Sequence, residues 1–239
     1  MTETANIEIE KVEQSSRVVA EILTLIEARR YLPGERLPSE RDLAERFGVG
    51  RATIREAVTT LESMRYLERR PGSGIFRCRE PDSASLETLV LFADLGLPLD
   101  PKTNSQVVEV RRLIEVQAIS LACERRETGD LERLRMTLSL FRDHESFAAN
   151  ASQYDQDFHM NIFKATHNDI LVRLVNPFYI MAKTRRVVFF KDRKRRRVSH
   201  EQHLQMLQSI EKQDKRKAME QMSFLLPFLK IRALKCWHK

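Results

Sequence analysis

Asp155 and His159 stand four residues apart within Tyr154-Asp155-Gln156-Asp157-Phe158-His159. On a helix that spacing projects both side chains from one face, about 6 Å apart along the axis. A carboxylate oxygen and an imidazole nitrogen so placed can chelate one divalent cation, zinc or similar. His203, in Glu201-Gln202-His203-Leu204-Gln205-Met206-Leu207, can complete a facial set of three. An open coordination position on such a set could activate water, which would make the chain a metal-dependent hydrolase or lyase. No nucleophile motif, glycine-rich phosphate loop or well-placed general base accompanies the set, because Asp157 lies two residues from Asp155 and faces another side of the helix. The plain alternative is a solvated or hydrogen-bonded Asp/His pair.

A second group of residues has nucleic-acid chemistry. Arg51, Ala52, Thr53 and Arg55 precede or interleave an apolar stripe of Ile54, Ala57, Val58, Leu61 and Met64, so they fall at the exposed N-terminal end of a helix. Such an end can enter a DNA major groove. An arginine there can hold guanine O6 and N7 with two hydrogen bonds, worth roughly 1–3 kcal/mol of discrimination, and Thr53 can bond a phosphate or touch a thymine methyl.

These groups need elements to position them. Ser39 followed by Asp42 has capping-box form, so a short helix is expected from Glu40 to about Phe47. Gly48 ends it, and Val49-Gly50 makes the tight turn into the Arg51 helix. Beyond that helix, residues 66–70 and 75–79 read as two short strands joined by Pro71-Gly72-Ser73-Gly74. Upstream, Val19, Ile22, Leu23 and Ile26 form a helix stripe that stops near Tyr31-Leu32-Pro33-Gly34. Residues 79–83 have linker composition, and residues 83–87 can cap a short connecting helix through Leu95.

From Ser105 onward the patterns are helical. Val107, Val110, Leu113, Ile114, Ala118 and Leu121 form one stripe, and Leu131, Leu134, Leu138 and Phe141 another. Further helices are expected over residues 154–165, 170–189, 201–212 and 215–226. The fold class is therefore mainly α: an N-terminal winged helix-turn-helix with a small two-stranded wing, and a C-terminal all-α antiparallel helical bundle. The domains are expected at residues 1–80, at 105–239, and with a linker and connecting helix over 81–104.

The segment from Leu37 to Phe76 resembles the DNA-binding domain of GntR-family bacterial transcription regulators, with the likeness covering residues 13–79. That resemblance implies DNA contacts from Arg41, Arg51, Thr53 and Arg55, with Gly72 at the wing tip. Gly50 and Ala52 stand where relatives often carry polar side chains. Glu109-Val110-Arg111-Arg112-Leu113-Ile114-Glu115, residues 155–168 and residues 203–214 resemble the FCD effector domain of the FadR-type subgroup. The resemblance implies a metal held by Asp155, His159 and His203, and places a fourth ligand, usually histidine, at Leu225, which cannot coordinate. It also implies that Arg111 faces the effector, where its guanidinium can hold a carboxylate; a salt bridge to Glu115 is the competing role. Asn168 reads as the C-cap of the Asp155 helix.

The implied function is a homodimeric regulator on a pseudo-palindromic double-stranded operator. Its operator affinity would be controlled by a small carboxylate metabolite, metal-assisted or not. An effector-free architectural DNA-binding protein is the remaining alternative. The 239 residues carry a net charge of +7, no apolar run long enough for a membrane span and three widely spaced cysteines. No membrane partner and a reducing, bacterial cytoplasmic setting are therefore expected. Residues 36–79 hold ten basic and six acidic side chains, whereas residues 183–197 hold nine basic and only Asp192. The second run reads as a solvated helix end and loop, with an auxiliary phosphate-contacting patch or an anionic effector as alternatives.

Overall fold

The computed structural model describes residues 2–80, 84–97, 99–143 and 148–225, with side chains from residue 13 onward except at residues 142, 143, 148 and 225. Among these residues, ten helices and one two-stranded sheet divide into two compact units, Met1–Leu97 and Pro98–Lys239. The expected linker at 79–83 falls largely on residues 81–83, outside the described residues.

In the first unit, α1 (Thr2–Arg29) packs against α3 (Arg51–Ser63), with α2 (Glu40–Phe47) lying against α3 as well. Ile22, Leu23 and Ile26 of α1 are fully buried with Leu43, Ile54, Ala57, Val58 and Leu61. The capping box forms in both directions: Asp42 N donates to Ser39 Oγ at 3.3 Å and Ser39 N donates to Asp42 Oδ2 at 3.2 Å. Gly48 ends α2 in the left-handed region, φ 65°, which a side chain would disfavour. Ser39→Ala should therefore destabilise this unit by about 1 kcal/mol, read as a lowered urea midpoint with an unchanged slope.

Strands β1 (Leu67–Arg70) and β2 (Gly74–Arg77) pair antiparallel with Arg70 opposite Gly74. Ser73 N closes their turn on Arg70 O at 2.9 Å. Residues 34–37 run along the free side of β2, exchanging backbone hydrogen bonds between Gly34 and Arg77, Glu35 and Arg77, and Leu37 and Ile75. The wing is thereby tied to the segment leading into α2. Helix α4 (Leu86–Asp94) completes the unit, with Phe92 edge-on to Tyr66 at 5.8 Å.

The second unit is entirely helical among the described residues: α5 (Pro101–Arg125), α6 (Thr128–Asp143), α7 (Ala148–Lys164), α8 (Asp169–Phe189), α9 (Arg193–Glu211) and α10 (Lys215–Leu225). Its largest core joins Ile119, Leu134, Leu138, Phe158, Ile162, Met206, Ile210 and Met222 from five of these helices. The stripe expected on α5 needs correction. Val110 and Leu113 are 43% and 63% exposed, while the buried face runs through Val107, Val108, Arg111, Glu115, Ile119 and Ala122. A reading that counts only apolar residues misplaces a helix face that carries a buried ion pair. Two further corrections follow the same logic. Asn168 is the N-cap of α8, accepting from Ile170 N and Leu171 N, because α7 has already ended at Lys164. The basic run is mostly helical rather than loop, since α9 begins at Arg193, eight residues before the expected start.

Candidate functional site

Helix α7 brings Asp155 and His159 to one face, and α9 brings His203 opposite them. One potential ligand atom from each residue lies within 4.8 Å of the others. All three side chains are buried. His203 Nε2 lies 3.4 Å from Asp155 Oδ1, and His159 Nε2 lies 4.0 Å from the same oxygen. The His203 ring stacks on Phe158 at 4.4 Å and meets the His159 ring edge-on at 5.1 Å. Among the described residues, Nδ1 of His159 and both ring nitrogens of His203 have no hydrogen-bond partner. Buried polar atoms are ordinarily satisfied, so an unpartnered His203 Nε2 at 3.4 Å from the Asp155 carboxylate, with His159 Nε2 at 4.0 Å from the same oxygen, is a donor set that a divalent cation would satisfy.

Burial pushes the Asp155 carboxyl up to about 6, against the pull of Arg186 and Arg111. Burial, followed by the same two guanidinium groups, pushes the His159 imidazole down to about 3. His203 is held well below its ordinary value by burial and by His159 and His200 beside it. The histidines, depressed in the fold, contribute stability that is present above their unfolded range and lost as pH falls. Asp155, raised in the fold, does the opposite: its contribution is present at low pH and lost as pH rises through about 6. Two groups outweigh one, so the metal-free unit should lose stability on going from about pH 6.5 to about pH 4. Asp155→Asn should steepen that loss in thermal melts taken across the window, because the compensating proton uptake is gone. A flatter profile would contradict the assignment.

Beyond His159 lies a second polar layer. Arg111 Nε donates to Glu115 Oε1 at 2.7 Å, the Tyr179 hydroxyl donates to the same oxygen, and the Arg111 guanidinium sits 4.1 Å from the Tyr179 ring centroid. Of the two roles weighed for Arg111, the structure forms the salt bridge to Glu115, within the polar cluster. Arg186 was hidden in the basic run. It is 3% exposed and donates to Ser152 O at 3.0 Å, Tyr179 O at 3.2 Å and the Gln156 side chain. Sequence reasoning missed Arg186, Tyr179 and Ser199, whose hydroxyl lies 3.5 Å from Asp155 Oδ1. The usable signal was the seven-residue interval from Tyr179 to Arg186, two helical turns that place both on one face. His167 and His200 are engaged elsewhere, with Asp130 at 2.9 Å and Leu138 O at 3.1 Å. Leu225 closes α10, and its side chain lies outside the described residues.

In the first unit, Arg41, Arg51 and Arg55 are exposed and Thr53 is half-buried at the start of α3. Arg55 Nε is held by Glu40 Oε2 at 2.9 Å, and Arg69 approaches the other Glu40 oxygen at 3.6 Å. Gly72 sits at the wing turn with φ 71° and open space where a Cβ would project.

Residues 14–76 match the gntR family of bacterial regulatory proteins, and residues 106–226 match the FCD domain. The chain is 33% identical to the Uxu operon regulator of Haemophilus influenzae over 60% of its own length, an alignment that spans about half, 51%, of that relative. It is 30% identical to the transcriptional regulator LutR of Bacillus subtilis, covering 74% of this chain and 82% of that one. The galactonate operon transcriptional repressor of Escherichia coli is likewise 30% identical, over 67% of this chain and 70% of the relative.

Proposed function

Because the chain belongs to the GntR family of DNA-binding transcriptional regulators and carries an FCD domain, we propose that a small carboxylate metabolite, bound at the Asp155, His159 and His203 cluster, controls its affinity for DNA. The observation that carries this reading is a buried carboxylate with two buried imidazoles within ligand reach, neither ring nitrogen of His203 having a hydrogen-bond partner among the described residues. Asp155, His159 and His203 would hold a divalent cation of the zinc type, which suits one oxygen and two nitrogen donors. When bound, that cation supplies positive charge for an effector's oxygens. Arg111 and Arg186 are the guanidinium groups closest in the cluster to share an anionic ligand, and Tyr179 orients both. The galactonate operon transcriptional repressor is named for an operon of a hydroxy-carboxylate, which supports the same ligand class.

The protein acts as a homodimer on a two-fold operator in this reading, with Arg41, Arg51, Thr53 and Arg55 on DNA and Gly72 allowing close approach of the wing. The effector can shift operator affinity only by the difference in its affinity for the DNA-competent and incompetent states. Among the described residues no helix is long and apolar enough to cross a membrane.

Thermal melts of metal-stripped protein with added zinc test the site. A rise of several degrees is expected, and none in His159→Ala. The same variant should bind genomic operator fragments like the wild type without effector and fail to respond to carboxylates that release the wild type. Loss of effector-free DNA binding would reassign His159 to support of the fold. A wild-type melt indifferent to zinc and to every divalent cation would remove the metal.

A further inference from the structure

The chain's positive charge is concentrated outside its winged helix. Residues 183–197 net +8 while the whole chain nets +7, so everything else together is −1. The run spans the end of α8, the turn and the first turn of α9. Two of its arginines point inward: Arg186 is buried in the polar cluster, and Arg196, 5% exposed, donates to Phe190 O and to Lys191 O at 3.2 Å. Those bonds fasten the turn's backbone to the domain. Arg185 is half-buried and donates to Asn104 Oδ1 at 2.7 Å, and the other cations are displayed on a fixed scaffold, with Lys183, Lys191, Arg193, Lys194 and Arg197 exposed and Arg195 lying over the Phe189 ring at 5.0 Å.

This arrangement works against the helix it sits on. Five consecutive cations, residues 193–197, occupy the start of α9, and its first turn has no acidic residue. Positive charge at a helix N-terminus opposes the macrodipole, whereas anions there are favoured. Asp192 offsets part of this by accepting from Lys194 N at 2.8 Å and pairing with Arg195 at 3.5 Å. Glu201 approaches Arg197 at 3.8 Å with both side chains more than 60% exposed, a weak pair. A polyanion laid across the turn would relieve both the mutual repulsion and the opposed dipole.

We infer that the α8–α9 turn is a second DNA-contacting surface, one that binds duplex phosphates without reading sequence. The duplex is the partner chosen because this is a DNA-binding regulator and because phosphate neutralisation needs clustered exposed cations and no base-edge geometry.

The test uses the full chain and a random-sequence duplex, with binding followed across salt concentrations. In the variant carrying Lys191→Gln, Arg193→Gln, Lys194→Gln and Arg197→Gln, the slope of log affinity against log salt should fall by about 2–4, since each lost phosphate contact removes about 0.9. A charge-matched control, Lys102→Gln with Lys164→Gln, Lys212→Gln and Lys217→Gln at other exposed positions, should keep the wild-type slope. Without DNA the first variant should melt no lower than the wild type, because the cations oppose α9. Should it fail to fold, Lys183→Gln with Lys191→Gln, both outside α9, should still lower the slope by about 1–2. Equal slopes in wild type and variant, or equal losses in variant and control, overturn the inference; the first result would leave the surface to an acidic protein partner.

Discussion

Glu115→Ala is expected to destabilise the FCD domain by about 3–5 kcal/mol, the usual penalty for leaving one member of a buried ion pair alone. Glu115 is fully buried, and its Oε1 accepts from both Arg111 Nε and the Tyr179 hydroxyl. The alanine variant strands a guanidinium that is 5% exposed. Arg111 cannot escape by releasing its proton: burial acts most strongly against its charge, and Glu115, Tyr179 and Asp155 together hold its pKa above the ordinary value, but even without Glu115 a guanidinium keeps its proton in a folded protein. Removing both charges together, Arg111→Met with Glu115→Leu, should recover most of the loss, because well-packed apolar substitutes for a buried pair are often neutral. Urea unfolding of the single and double variants measures this. A single-variant loss below about 1 kcal/mol would mean that the pair is solvated. The double variant also separates stability from response, since it should fold yet no longer answer to carboxylates.

The winged unit was legible because its punctuation is local. Ser39 and Asp42 are three residues apart, Gly48 meets its left-handed requirement within the turn it closes, and the Ile54 to Leu61 stripe is buried where the spacing places it. Each of these signals reads a distance of a few residues along the chain. In the C-terminal unit the helices were equally visible, but the face that α5 buries was not. Its inward residues include Arg111 and Glu115, which a hydrophobic pattern assigns to solvent, and its exposed residues include Val110 and Leu113, which the same pattern assigns to the core.

The cluster shows the same division between local and distant information. Asp155 and His159 share a helix, so their spacing alone put them together, whereas His203 was a candidate from a distant helix that the family resemblance strengthened. Arg186 carries no such mark. It is one of nine cations in fifteen residues, and what turns it inward is Ser152 O and Gln156 on α7, about thirty residues away. Arg196 is concealed likewise, because the carbonyls it holds belong to the turn just before it. Charge summed along a sequence does not distinguish an arginine that fastens backbone from one that faces solvent.

Arg51→Ala should lower affinity for the preferred operator about 10- to 100-fold while changing affinity for random duplex little, the signature of a lost base contact. The expectation rests on a contrast between two arginines one helical turn apart. Arg55 is tethered to Glu40 at 2.9 Å, within a cluster that also holds Arg69. Arg51 is the first residue of α3 and exposed, preceded by Gly50, whose absent side chain leaves open space and no cap on the helix. On bound DNA the first N–H groups of α3 would therefore be open to a phosphate, and Arg51 would reach toward base edges. Arg55→Ala should cost less in base preference than Arg51→Ala, and Glu40→Ala should narrow that difference by releasing Arg55. Selection of bound sequences from a random library by wild type and each variant measures all three. A uniform loss across sequences in Arg51→Ala, with the salt slope reduced by about one, would make Arg51 a phosphate contact and move the readout elsewhere on α3.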